Sequence, residues 1–137
     1  MTIPTLLWYN GAMKVDLPPT LNQSYYVRRW GATCPTCKKR EKAGLGLTPE
    51  AAACKEAIAW EALSEFGRLD PKGSYELHLI QHLPKNSRDA DSNVKLVMDG
   101  VGEGAGINDN RIFKIVLEKV IDGERYLEID LCDYPPR

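Results

Sequence analysis

The chain has 137 residues, 43% of them hydrophobic and 27% charged, with a formal net charge of −1. Those values fit one globular domain with a sizeable core and exclude wholesale disorder. No apolar run approaches the roughly 18 residues needed to cross a bilayer.

In the N-terminal stretch MTIPTLLWYNGAMK the one basic residue follows the apolar ones, the reverse of a signal peptide. The expected location is therefore the cytoplasm, where four cysteines read as thiols or metal ligands before disulfides. Residues 12–17 (AMKVDL) alternate as a strand, and Pro18-Pro19 must end it.

A Gly-, Pro- and charge-rich excursion follows at about 25–47, with the outline of a loose hairpin. It carries Arg28, Arg29, Lys38, Lys39, Arg40 and Lys42 against one acid, Glu41, with Tyr25, Tyr26 and Trp30 among them. Cations beside aromatic rings suit a phosphate backbone and exposed bases. They equally describe a solvated loop over a few buried rings. The same excursion holds Cys34-Pro-Thr-Cys37, half of a structural zinc site. The other ligands would be Cys54 and Cys132, or the same knuckle of a second copy. Plain thiols and a disulfide fit the spacing too, and all three readings stay open.

A helix then starts clearly: Thr48 can cap it, Pro49 suits its first position and Glu50 favours the positive end of its dipole. Gly67 is its natural stop, and Ala53, Ala57, Trp60, Leu63 and Phe66 make the expected core face. The run SYELHLIQHL (74–83) predicts a strand with Tyr75, Leu77 and Leu79 on one face and Glu76, His78 and Ile80 on the other. His78 and His82 read as strand histidines and not as ligands. Val94, Val97, Met98 and Val101 predict an amphipathic helix over 92–101, followed by a glycine-rich connection through Gly100, Gly102, Gly104 and Gly106. RIFKIVLEKV and RYLEIDLC close the chain as strands that Asp122-Gly123 should join into a hairpin. The sum is an α+β fold: a single domain, residues 1–137, with a small mixed sheet and two main helices.

The chemistry concentrates in RDADSNVKLVMD (88–99). Asp91, Lys95 and Asp99 are spaced by four and share a helix face, Asp89 lies just before them, and Asp109 opens the next strand. Carboxylates that converge repel unless a cation sits between them. An oxygen-rich, sulfur-free cluster suits Mg²⁺ or Mn²⁺, and a lysine beside it can orient water or offset charge on a phosphorane-like transition state. That set points to metal-assisted phosphodiester hydrolysis. By spacing alone, Asp91 capping a helix while Lys95 pairs along a solvated face fits as well.

Taken together, Asp89-Ala-Asp91-Ser-Asn-Val-Lys95-Leu-Val-Met-Asp99, the later Ile107-Asn-Asp109-Asn-Arg111-Ile, and the opening Leu17-Pro-Pro-Thr-Leu-Asn22-Gln-Ser-Tyr25-Tyr resemble the RusA family of Holliday junction resolvases. The likeness covers the second half well and the first half in patches. Ser92 stands where the family pattern has asparagine, and Asn108 where relatives carry an acid. The resemblance implies a homodimeric, Mg²⁺-dependent endonuclease that cuts four-way DNA junctions to a 5′-phosphate and a 3′-hydroxyl, of bacterial, phage or prophage origin. It makes Asp89, Asp91 and Asp109 the metal-binding catalytic acids and Lys95 the catalytic lysine, with Asp99 orienting that lysine. DNA binding would then lean on Arg28, Arg29, Lys38, Lys39 and Arg40, helped by Lys85, Arg88 and Arg111. A non-catalytic DNA-binding module with zinc on Cys34 and Cys37, and a nuclease for other branched DNA, are the alternatives.

Overall fold

Tyr75, Leu77, Leu79, Gln81 and Leu83 occupy alternate, buried positions along Tyr75–Leu83, and this strand lies between two others in the sheet. The computed structural model describes residues 13–28 and 44–135. In chain order it has β1 (Met13–Val15), a helical turn α1 (Leu21–Ser24), β2 (Tyr25–Arg28), β3 (Gly44–Leu47) and α2 (Pro49–Phe66). Then come β4 (Tyr75–Leu83), α3 (Val94–Ala105), a 3-10 turn (Asp109–Arg111), β5 (Ile112–Ile121) and β6 (Tyr126–Asp133). The main sheet has the order β1-β6-β4-β5, with β4 parallel to β5 and the other pairs antiparallel. β2 and β3 form a separate antiparallel pair. The architecture is the expected mixed α+β one.

The predicted hairpin is corrected. β5 and β6 are joined through Asp122-Gly123, but they flank β4 and do not pair with each other. β4 reaches its parallel partner through α3, as a parallel connection requires. The β5–β6 turn therefore spans the end of β4, where the Asp122 amide donates to Leu83 O at 3.2 Å.

α2 begins and ends as its sequence dictates: Thr48 Oγ1 accepts from the Ala51 amide at 3.3 Å, and the Gly67 amide bonds Leu63 O. Its buried face, however, is Ala51, Ile58, Ala62 and Phe66. Ala53, Ala57 and Trp60 are exposed, and Trp60 keeps 66% of its surface. An alanine-rich helix offers two similar stripes, and the docking of α3 selects between them.

That docking also explains the glycines, which the structure places inside a helix instead of a loop. A Cβ on Gly100 would stand 2.8 Å from Ile58 Cγ2, and one on Gly104 would stand 2.0 Å from Ala59 O. The two helices meet at a separation only glycine allows. Close packing offsets the roughly 1 kcal/mol that each mid-helix glycine costs. Gly106, at φ 75°, ends α3 in the left-handed conformation. The core lies between these helices and one face of the sheet, with Ile58, Phe66, Val97 and Val101 against Leu77, Leu79, Ile129 and Leu131.

At the β5–β6 turn, His82 contacts Asp122 Oδ2 through Nδ1 and Glu128 Oε2 through Nε2, the latter at 3.0 Å, and its ring stacks on Tyr126. Burial opposes the charged imidazole, but the two carboxylates outweigh it and hold its pKa above the ordinary value. Asp122 is correspondingly held low, first by His82. A raised histidine pKa stabilises the fold fully below the unfolded value of about 6.5 and less as pH rises through the folded one. Thermal unfolding followed across pH should therefore show wild type losing stability above about pH 6.5, a slope that His82→Gln flattens. Equal slopes in the two proteins would rule out this linkage.

Candidate active site

The acidic residues gather where α3 and the 3-10 turn meet the β5 edge of the sheet. Asp91, Asn93, Lys95, Asp99 and Asp109 line one cavity of about 420 Å³, floored by Ile115 and Leu117 of β5. Asp89 lines an adjoining cavity of about 630 Å³ with Arg88, Lys119 and Thr20, and Asp91 borders both. The structure thus brings Asp91, Lys95, Asp99 and Asp109 to one cavity, with Asp89 next door. Among the described residues, no three of these acids place oxygens within 4.8 Å of one another. Like charges stand apart when only water screens them.

Helix α3 starts at Val94, two residues later than the periodicity suggests, because residues 89–93 are committed to a turn. The Ser92 amide bonds Asp89 O at 3.2 Å and the Val94 amide bonds Asp91 O at 3.4 Å. Asp91 therefore does not cap the helix; Asn93 occupies that position, without a side-chain capping bond. Lys95 and Asp99 are one helical turn apart, with Nζ 3.5 Å from Oδ2.

A residue that sequence reasoning missed holds this turn in place. Gln81 sits on the core face of β4 at 1% exposure. Its Nε2 donates to Asp89 O and Ala90 O, each at 3.0 Å, and its Oε1 accepts from Asn93 Nδ2 at 3.2 Å and Ser92 Oγ at 3.4 Å. Ser92, the departure from the asparagine of the family pattern, thus still bonds into the support of the loop. The signal was present in the sequence: one amide in a run whose alternate positions are Leu77, Leu79 and Leu83. Gln81→Leu should leave two carbonyls and two donors unmatched, costing about 1–3 kcal/mol of stability. In a Mg²⁺-dependent nuclease the same substitution should also raise the Mg²⁺ concentration needed for half-maximal nicking by about 10–100-fold. A variant that is destabilised yet keeps the wild-type Mg²⁺ requirement would limit Gln81 to a folding role.

The other supports come from distant parts of the chain. The Asn108 side chain accepts from the Asn110 amide at 3.1 Å and so caps the turn that presents Asp109. Lys119 Nζ donates to Asn86 Oδ1 at 2.6 Å and to Arg88 O at 3.0 Å, tying β5 to the loop after β4. The opening motif abuts this loop: Arg88 donates to Pro18 O, and Ser24 lines the Asp91 cavity.

Two of the predicted DNA contacts have structural partners. Arg88 is bound to Pro18 as stated, and Arg111 donates to Gly73 O at 2.6 Å and Lys72 O at 2.8 Å while lying over the Phe113 ring. Lys85 is exposed, and Arg28 ends β2. Arg29, Lys38, Lys39, Arg40, Cys34 and Cys37 lie outside the described residues.

Cys54 and Cys132 are free thiols on opposite sides of the sheet, Cys54 against the core and Cys132 across from Glu76 on the far face. They cannot together complete one zinc site with Cys34 and Cys37, which corrects that pairing. Burial, then Glu76, Asp133 and Asp130, push the Cys132 thiol up to about 11.

An oxygen-only donor set at the Asp91 cavity fits a hard divalent cation. Asn93 Oδ1 adds to that fit: it is buried, belongs to a residue in the cavity wall, and has no hydrogen-bond partner. No protein-family model and no curated protein matches the chain. Among solved structures it is similar to a 2C-methyl-D-erythritol-2,4-cyclodiphosphate synthase in a CDP-bound form, at 11% identity and a TM-score of 0.33, with 88% of this chain and 95% of that one covered. A likeness that weak carries no inference about fold or activity.

Proposed function

We propose that the protein is a metal-dependent endodeoxyribonuclease that resolves four-way DNA junctions. The observation that carries this reading is the shared cavity of Asp91, Lys95, Asp99 and Asp109, with Asp89 beside it. Asp91 and Asp109 would hold Mg²⁺ or Mn²⁺ there, with Asp89 reaching in from the adjoining cavity. When bound, such an ion supplies an activated water and polarises the scissile phosphoryl oxygen. Lys95 offsets charge that develops on the phosphate, and Asp99 keeps its ammonium turned along the helix. Gln81 and Asn108 position the two acid-bearing turns without touching substrate.

Paired nicks on opposed strands call for two active sites related by a two-fold axis, hence a homodimer. Strand β5 supports association: it is an edge strand among the described residues, and outside the cavity floor Phe113, Val116 and Ile121 are exposed on it. The basic segment bearing Arg28, Arg29, Lys38, Lys39 and Arg40 would hold the DNA arms. The segment begins at β2, which directly follows the cavity residue Ser24.

A substrate panel tests the reading. Labelled four-way junctions, flaps and linear duplex, each with Mg²⁺, should be cut in that order of preference, the junction by symmetric nicks. Preference for flaps over junctions would replace junction resolution with another branched substrate. Binding without cutting, on every substrate, would leave only a DNA-binding module.

A further inference from the structure

The face of the sheet turned away from the helices carries a second set of ligating side chains, and none of them belongs to the acidic cavity. Glu76 and His78 reach this face from β4, two residues apart, and Cys132 stands directly across from Glu76 on β6. A carboxylate oxygen, an imidazole nitrogen and the thiol sulfur all lie within 4.8 Å of one another. Glu76 and Cys132 are buried, at 4% and 0% exposure, and His78 is half-buried, so the set opens to solvent on the histidine side.

Three features make this more than a chance meeting. The ligands come from the two central strands of the sheet, whose register is fixed by the core residues Leu77, Leu79, Ile129 and Leu131 on the other face. The frame is therefore rigid before any ion arrives. The neighbourhood carries further acids: Asp130 lies across from His78 in the strand register and Asp133 follows Cys132, while Lys114 stands 3.5 Å from Glu76. Finally, the donors are mixed. Sulfur and imidazole nitrogen beside one carboxylate are poor company for Mg²⁺ or Ca²⁺ and suit a borderline divalent transition metal.

We propose that Glu76, His78 and Cys132 bind Zn²⁺, with a fourth coordination position left toward solvent. On binding, the Cys132 thiol loses its proton to solvent and the sulfur coordinates as thiolate. Glu76 then exchanges its present contacts with His78 and Lys114 for the ion. With no ion the same residues stand as an ion pair beside an inert thiol, and the experiment must separate the two.

The full-length chain carrying Cys34→Ala and Cys37→Ala removes any contribution of the C-x-x-C pair. It is stripped with a chelator, loaded with Zn²⁺ or Co²⁺, and passed through gel filtration. The expected result is zinc retained on the protein and a thiolate-to-cobalt charge-transfer band in the Co²⁺ form. Adding Cys132→Ala should abolish both. His78→Ala, at the solvent side, should fold normally by circular dichroism and weaken zinc on the order of 100-fold in competition with a chromophoric chelator. A chain that leaves the column metal-free overturns the proposal, as does an unchanged band in Cys132→Ala. Should Cys132→Ala fail to fold, unchanged zinc affinity in His78→Ala overturns it alone. These readouts measure metal and use no DNA, so they stand or fall separately from the nuclease reading.

Discussion

Asp91→Asn is expected to slow DNA nicking by on the order of 10²–10³-fold, roughly 2.7–4 kcal/mol of transition-state stabilisation, while DNA binding stays the same or tightens. The substitution keeps the shape of the side chain and removes its charge. The turn should survive it, because Asp91 enters the turn through its backbone carbonyl to the Val94 amide and the loop is held from beneath by Gln81. Asp91 also borders both the cavity of Lys95 and Asp109 and the cavity of Asp89, so it is the acid most central to the set. Losing one carboxylate relieves repulsion toward phosphate, which is why binding should not suffer. Single-turnover nicking rates and a binding titration, run on the same preparation, separate the two effects. An Asp91→Asn protein that cuts as fast as wild type would remove Asp91 from the chemistry.

The largest expected effect on stability comes from Gly104→Ala. At an exposed helical site the change from glycine to alanine stabilises by about 1 kcal/mol. Here the new methyl would lie 2.0 Å from Ala59 O and 2.8 Å from its carbonyl carbon, both backbone atoms that cannot rotate away. The helices must separate, opening the contact that Ile58 makes with Gly100 one turn earlier. Overpacking of this kind costs typically 1–3 kcal/mol and occasionally more, and backbone collision places this case near the upper end. The melting temperature should fall by on the order of 10 °C. The comparison is Ala53→Gly on the exposed side of α2, which should lose only about 1 kcal/mol. If Gly104→Ala proves more stable than wild type, the close approach of α2 and α3 is wrong.

What could be read from the sequence was local. Thr48, Pro49 and Gly67 mark the ends of α2 because caps depend on a few neighbouring atoms, and the alternation in β4 assigns its two faces because the strand period is two. What could not be read was set by partners far away in sequence. Gly100 and Gly104 look like a loop until α2 is placed against them. Trp60 looks like core until Ile58 and Ala62 take that face. Asp122-Gly123 correctly signals a reversal, but no local signal says that β4 lies between the strands it joins. The site divides the same way. The spacing of Asp91, Lys95 and Asp99 is visible in the chain, whereas the support from Gln81 and the proximity of Ser24 and Pro18 depend on the fold. Glu76, His78 and Cys132 were hidden most completely, because strand register across 56 residues of chain brings the third to the first two.

The most direct measurement incubates the purified wild-type chain with a synthetic four-way junction labelled on each strand in turn, with Mg²⁺ and with the metal chelated. The expected result is a pair of symmetric nicks with Mg²⁺, bearing 5′-phosphates that ligase can reseal, and an intact junction without it. A junction left intact in both conditions, or cut equally well with the metal removed, would contradict metal-dependent hydrolysis at the Asp91 cavity.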